Sequence, residues 1–162
     1  MPDPAWYALK VHTRSEDIAA LALSNAGYEV FAPVYCERRK YSDRMKSIET
    51  AAFPGYIFCR FVEQNKVPVL RTVAVEYIVG IAGIPTPIPD TEIEGIRLAL
   101  KTGARPTPYL TVGQRVRIEY GALKGVEGIL TRNNGEDRLT LSVNLLQRSV
   151  SMAIDADQVR AM

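Results

Sequence analysis

Among residue types that do chemistry, this 162-residue chain holds one histidine, His12, and two cysteines, Cys36 and Cys59, without a C-x-x-C spacing. A Ser-His-Asp arrangement or a zinc site needs such groups in a cluster, and this set offers none. No enzymatic activity, metal or cofactor is expected, and both cysteines read as small core thiols of a reducing compartment. What remains is recognition. Between Arg38 and Ile48 stand Arg38, Arg39, Lys40, Arg44 and Lys46 against a single acid, Asp43, so the segment carries +4 in a chain whose total is +2. With Tyr41 inside it, the segment reads as a flexible positive finger for phosphate contact and base stacking, the alternative being a solvated hairpin loop. His12 and Arg14 sit where a first helix should begin, a place that favours phosphate, with ordinary surface decoration as the alternative.

A second recognition element is Phe53-Pro-Gly-Tyr-Ile-Phe-Cys-Arg-Phe61. As a strand it sends Tyr56 and Phe58 to one sheet face and Ile57, Cys59 and Phe61 to the other, and both faces are apolar. Two helices cover one face of a four-stranded antiparallel sheet, so the second face is expected to meet a domain, a partner or a second copy. The alternative is a sheet buried on both sides within the chain. The third element runs from Val112 to Leu130, where Gly121, Gly125 and Gly128 supply sharp corners between alternating strands.

The elements that must position these residues follow from periodicity. Apolar residues make up 47% and charged residues 23%, which is globular composition. The longest charge-free stretch, Tyr77 to Pro89, holds three prolines and two glycines and is shorter than the about 20 apolar residues of a membrane span. Neither a signal nor a transit peptide is visible, so a cytosolic protein without membrane contact is expected. Strands are predicted at 6–11, 28–35, 56–62 and 73–81. Helices are predicted at 15–26, with Thr13 and Glu16 as a capping box, and from Asp90 or Thr91 to Gly103. Residues 102–108, Thr-Gly-Ala-Arg-Pro-Thr-Pro, have linker composition. Beyond them, short strands at 115–119, 128–131, 138–143 and 149–154, with an Asn133-Asn134-Gly135 turn, predict a small β-barrel. The fold class is therefore α+β in residues 1–101, followed by an all-β module in residues 109–162.

Taken together, Trp6-Tyr7, the Phe-Pro-Gly-Tyr block at 53–56, Pro87-Ile-Pro-Asp90 ahead of a helix, and the glycine-punctuated stretch Val112–Leu130 resemble the NusG family of transcription elongation factors, in the same order and over nearly the whole chain. The resemblance implies an N-terminal NGN domain and a C-terminal KOW domain with an SH3-like barrel. It implies a monomeric factor that rides on RNA polymerase and modulates pausing, termination or antitermination. Phe53, Tyr56, Phe58 and Ile81 then correspond to the apolar patch that docks on the clamp helices of the largest subunit. Leu123 and Val126 correspond to the KOW surface that recruits the termination factor Rho or a small-subunit ribosomal protein. The block Tyr77-Ile-Val-Gly-Ile-Ala-Gly83 departs from that of the general factor and is similar to specialised, RfaH-like paralogues. For that branch His12, Arg14, the 38–46 finger and Arg71 are the expected contacts to non-template DNA.

In some relatives the C-terminal module refolds into helices, and Leu145-Leu146-Gln147-Arg148 fits either form, whereas Leu139, Leu141, Val143 and Leu145 alternate as in a strand. The rival class of function is a KOW-type RNA-binding component of a ribosomal or RNA-processing assembly. Residues 109–162 hold seven Lys or Arg against six Asp or Glu, a weak balance for gripping RNA by its phosphates.

Overall fold

A computed structural model describes residues 2–110 and 113–162. The chain runs through β1 (Ala5–Val11), α1 (Glu16–Asn25), β2 (Glu29–Phe31), β3 (Val34–Lys40), β4 (Met45–Ala51) and β5 (Tyr56–Phe61). Then come a one-turn helix α2 (Val67–Leu70), β6 (Val75–Ile78), the short pair β7 (Gly80–Ile81) and β8 (Ile84–Pro85), and α3 (Asp90–Lys101). The C-terminal part adds β9 (Arg105–Thr107), β10 (Gln114–Ile118), β11 (Glu127–Asn133), β12 (Glu136–Val143), β13 (Arg148–Ala153) and β14 (Val159–Ala161). These elements cluster into two compact units: residues up to Pro33 with Phe53–Asp90, and Val34–Ala52 with the described part of Thr91–Met162.

In the first unit a four-stranded antiparallel sheet has the order β2-β5-β1-β6. The central strand β1 consists of apolar and aromatic residues because it is paired on both edges, with Leu9 opposite Ile57 on one side and Ile78 on the other. One face carries Tyr7, Leu9, Val11, Ile57, Cys59 and Phe61, closed by Ala19 and Leu23 of α1 and Val69 of α2. The ring of Tyr7 lies 4.7 Å from that of Phe61. Helix α1 ends where Gly27 takes φ +96°, a conformation that a side chain opposes.

Thr13 and Glu16 do not form the expected capping box. The helix begins at Glu16 after Ser15, and no side chain caps it. The Glu16 carboxylate turns instead to the loops, accepting from the Arg14 N–H at 3.2 Å and the Gly55 N–H at 3.0 Å. The strand predicted over 28–35 is also broken. Pro33 has no N–H to offer a ladder, so β2 stops at Phe31 and β3 starts afresh at Val34 with a different partner.

That partner is β4, and the segment expected to be a flexible finger is an ordered ribbon belonging to the second unit. Its register runs from Val34↔Ala51 to Lys40↔Met45, and Tyr41 and Arg44 close a two-residue turn, the Tyr41 N–H donating to the Arg44 carbonyl at 2.8 Å. Cross-strand pairing satisfies backbone groups that a solvated loop would leave to water.

The second unit also holds a six-stranded antiparallel sheet of order β14-β10-β11-β12-β13-β9. Val116, Ile118, Leu139, Leu141, Val143 and Val150 form its buried side. All four strands predicted after residue 109 are present, and Asn134 and Gly135 take φ +53° and +78°, the two positive values that a tight hairpin needs. Leu145 and Leu146 sit in a single 3-10 turn, so the strand alternative describes this module. The glycine-punctuated motif begins at Val112, which lies outside the described residues. Two edge strands were not anticipated. Within the expected linker, β9 pairs with β13, Thr107 opposite Ser149, and an edge position tolerates Pro106. From Thr91 on, helix α3 likewise groups with this sheet and not with the four-stranded one. Gly95 is the point of approach, since a Cβ there would lie 3.1 Å from Leu141, and the Glu92 carboxylate accepts from the Asn144 N–H at 3.1 Å. Burial pushes the Glu92 carboxyl up, and that hydrogen bond opposes the rise.

Cys36 is exposed and Cys59 is buried, where desolvation pushes its thiol up to about 12. We expect a thiol reagent at mild alkaline pH to modify Cys36 at once and Cys59 only on unfolding, as read by mass spectrometry of the digested protein. A thiol raised in the folded state stabilises fully below its ordinary value of 9.0, and that contribution is lost as pH rises towards about 12. The urea midpoint of the wild type is thus expected to fall across that window more steeply than that of Cys59→Ala.

Candidate functional site

The residues expected to make an apolar docking patch separate by burial. Phe53 and Phe58 are only 1% and 0% exposed. The Phe58 ring stacks on Phe31 with centroids 5.9 Å apart and meets Phe53 edge-on at 6.0 Å. Trp6, Ala8 and Ile88 are buried as well, and the Ile88 N–H donates to the Trp6 carbonyl at 2.8 Å. Most of the second sheet face is therefore interior, so the alternative of a sheet buried on both sides within the chain describes it. Within that face Phe31 is the cross-strand neighbour of Phe58, and Phe53, from the segment before β5, packs edge-on against it.

The same face opens at one end. Lys10 pairs across the sheet with Tyr56 of β5 and Tyr77 of β6, so a lysine stands between two tyrosines in one cross-strand row. The Lys10 ammonium lies 5.9 Å from the Tyr56 ring centre and 2.9 Å from a Glu76 carboxylate oxygen. This hydrogen bond holds the Glu76 carboxyl below, and the Lys10 ammonium above, their ordinary values. Tyr56 is half-buried, and Tyr77 is 51% exposed. Next in the chain, β7 and β8 present Ile81 and Ile84 directly opposite one another, 64% and 67% exposed. Of the predicted patch, Tyr56 and Ile81 reach the surface. Lys10 and Tyr77 join Tyr56 only through the β1–β5 and β1–β6 pairings, and Ile84 joins Ile81 only through the β7–β8 pairing, so residue order alone does not group them.

Of the predicted nucleic-acid contacts, His12 and Arg14 follow β1 in an exposed loop. The His12 backbone N–H donates to Ala74, which sets this loop against the turn after α2, where Arg71 is exposed. The His12 ring stands 3.7 Å from Glu76. Arg38, Arg39, Lys40, Arg44 and Lys46 are all exposed on the β3–β4 ribbon of the other unit. Arg39 shares the Glu37 carboxylate at 3.2 Å. In that unit too, Leu123 and Val126 are 4% and 8% exposed and belong to the core side of a glycine turn, where the Val126 N–H donates to the Leu123 carbonyl at 2.9 Å.

Among the described residues no cluster of three or more His, Cys, Asp or Glu could hold a metal ion, and no helix is long and apolar enough to cross a membrane. The arrangement offers surfaces: a tyrosine–lysine row with an isoleucine pair, and a cationic ribbon.

Comparison with known proteins gives a consistent result. A family model described as transcription termination factor nusG matches residues 4–97. The transcription termination/antitermination protein NusG of Lactococcus lactis is 30% identical over 175 aligned residues, covering 97% of this chain and 92% of that protein. The solved structure of Thermotoga maritima NusG aligns over 98% of this chain and 97% of that one, with a TM-score of 0.52 at 18% identity, a likeness of fold.

Gly55 ties the open end of the sheet together. It is buried at φ +86°, donates to Glu16, and a Cβ there would stand 3.3 Å from the Lys10 ammonium. Gly55→Ala is expected to cost about 1–2 kcal/mol in urea unfolding. Phe58→Ala, which empties a fully buried ring site, is expected to cost about 3–5 kcal/mol, whereas Tyr56→Ala should cost well under half of that.

Proposed function

This chain belongs to the NusG family of transcription termination and antitermination factors, and we propose that it works by docking on the clamp helices of the largest RNA polymerase subunit. The observation that carries this reading is the family match over 4–97 together with two exposed features of the first unit, the cross-strand row Tyr56–Lys10–Tyr77 and the isoleucine pair Ile81 and Ile84 on β7–β8. Aromatic residues with one wet end are favoured at the centre of protein interfaces. Phe53 and Phe58 serve the patch from beneath, holding β5 in place. Residues 1–101 act as the polymerase-binding NGN domain and residues 109–162 as a KOW domain. The KOW turn around Leu123 and Val126 recruits Rho or a small-subunit ribosomal protein.

The protein acts as a cytoplasmic monomer that changes the populations of clamp states by binding, with no bond chemistry of its own. His12, Arg14, Arg71 and the cationic ribbon contact DNA of the transcription bubble, including the non-template strand. The departure at Tyr77–Gly83 supports an operon-specific, RfaH-like role. A ribosomal or RNA-processing role is not adopted, because the family match lies over residues 4–97 and not over the C-terminal module alone.

Co-purification with core RNA polymerase tests this reading. The wild type is expected to be retained, and Tyr56→Ala combined with Ile81→Ala to weaken retention about tenfold or more while circular dichroism stays unchanged. Failure of the folded wild type to bind polymerase overturns the proposal. Undiminished binding of the double variant moves the contact away from this surface.

A further inference from the structure

The β3–β4 ribbon carries cations on both of its faces. Side chains alternate along a strand, and cross-strand partners share a face. The register therefore sets Arg39, Lys46 and Arg44 with Tyr41 on one face, and Arg38 and Lys40 with Met45 and Ser47 on the other. Among the described residues, no ion pair engages Arg38, Lys40, Arg44 or Lys46. At the tip only Ser42 and Asp43 lie between the paired residues Tyr41 and Arg44. The base is anchored, because Arg105 donates to the Cys36 carbonyl at 3.1 Å and places its guanidinium 5.8 Å from the Tyr35 ring.

We infer that this ribbon is a reader of double-stranded B-form DNA, entering the major groove tip first with each face towards one phosphate backbone. The inference rests on the nucleic-acid reading of the segment above and refines it, leaving the single strand to His12, Arg14 and Arg71. A single strand lying along the ribbon engages one face and leaves the cations of the other in water. Two backbones flanking a groove engage both. The dimensions agree: a sheet layer with its side chains is about 10 Å thick, and the B-DNA major groove is about 12 Å wide. Cations two residues apart on one face are about 6.8 Å apart, close to two phosphate steps of about 3.4 Å along one strand's axis. The major groove of duplex RNA is deep and narrow and excludes such a ribbon. Because the ribbon is already paired and anchored, binding loses little chain entropy.

Fluorescence anisotropy of the intact chain, without polymerase, against a short DNA duplex, either of its strands alone and the matching RNA duplex tests this. The DNA duplex is expected to bind tightest. Arg38→Ala with Lys40→Ala on one face, and Arg44→Ala with Lys46→Ala on the other, are each expected to weaken duplex binding roughly tenfold and to reduce the slope of log affinity on log salt by about 2. All four positions are solvent-exposed, and circular dichroism verifies that the variants keep their fold. Equal or tighter binding of a single strand or of duplex RNA overturns the inference, and so does a duplex affinity insensitive to one of the two pairs. Polymerase retention is scored separately, so a factor that docks on polymerase yet fails here disproves the groove reading alone.

Discussion

The first unit depends on a strand that is hydrogen-bonded along both edges and buried on both faces. β1 can hold that place only if its residues satisfy two different interiors at once. Tyr7, Leu9 and Val11 pack against α1 and α2, while Trp6 and Ala8 lie on the opposite face, which they share with Phe58 and Phe31 of the neighbouring strands. The alternation fails at Lys10, and that failure marks the surface. A lysine is tolerated on the inward-facing period only where the sheet runs out into water, so its position gives the boundary between the buried and the solvent-facing part of that face. Tyr56 and Tyr77 flank it for the same reason: each keeps a polar tip in solvent and an apolar ring against its neighbours.

Charge is arranged with comparable economy. The whole chain is close to neutral, yet residues 38–48, the outer part of one ribbon, concentrate +4. Such a density would disfavour a compact core, and the fold places it on a two-stranded projection whose side chains all reach solvent near the tip. Asp43 stands at the tip, and towards the base Glu37 serves both Arg39 and Thr50. Arg105, contributed by an edge strand of the six-stranded sheet, fixes the ribbon's root through backbone and ring contacts, leaving the cations near the tip for a ligand.

Much of the architecture was legible in the residues. Strands at Trp6–Val11 and after Pro54-Gly55, the helices ended by Gly27 and Gly103, and the Asn-Asn-Gly hairpin follow from period and turn chemistry, which are local properties. The misreadings have a common cause. The Thr13–Glu16 spacing satisfied a capping rule, but Glu16 found better donors in Arg14 and Gly55, the latter distant in sequence. Thr-Gly-Ala-Arg-Pro-Thr-Pro read as linker because Pro106 cannot sit inside a sheet, but an edge strand needs only one paired side.

The candidate site divides along the same line. Residue types and order by themselves determined that the chain has α+β and all-β parts, that its cations gather at 38–46, and that an apolar strand lies at 56–61. Those features are carried by composition and short-range period, which survive without knowledge of long-range contacts. Only tertiary structure decided which aromatics are exposed. Phe58 and Tyr56 share a sheet face and similar chemistry, yet one is fully buried with Phe31 and Phe53 against its ring and the other is half-buried beside Lys10. Likewise only strand pairing decided that the five cations lie on two faces of one ribbon, because register is a property of two segments and is written in neither alone.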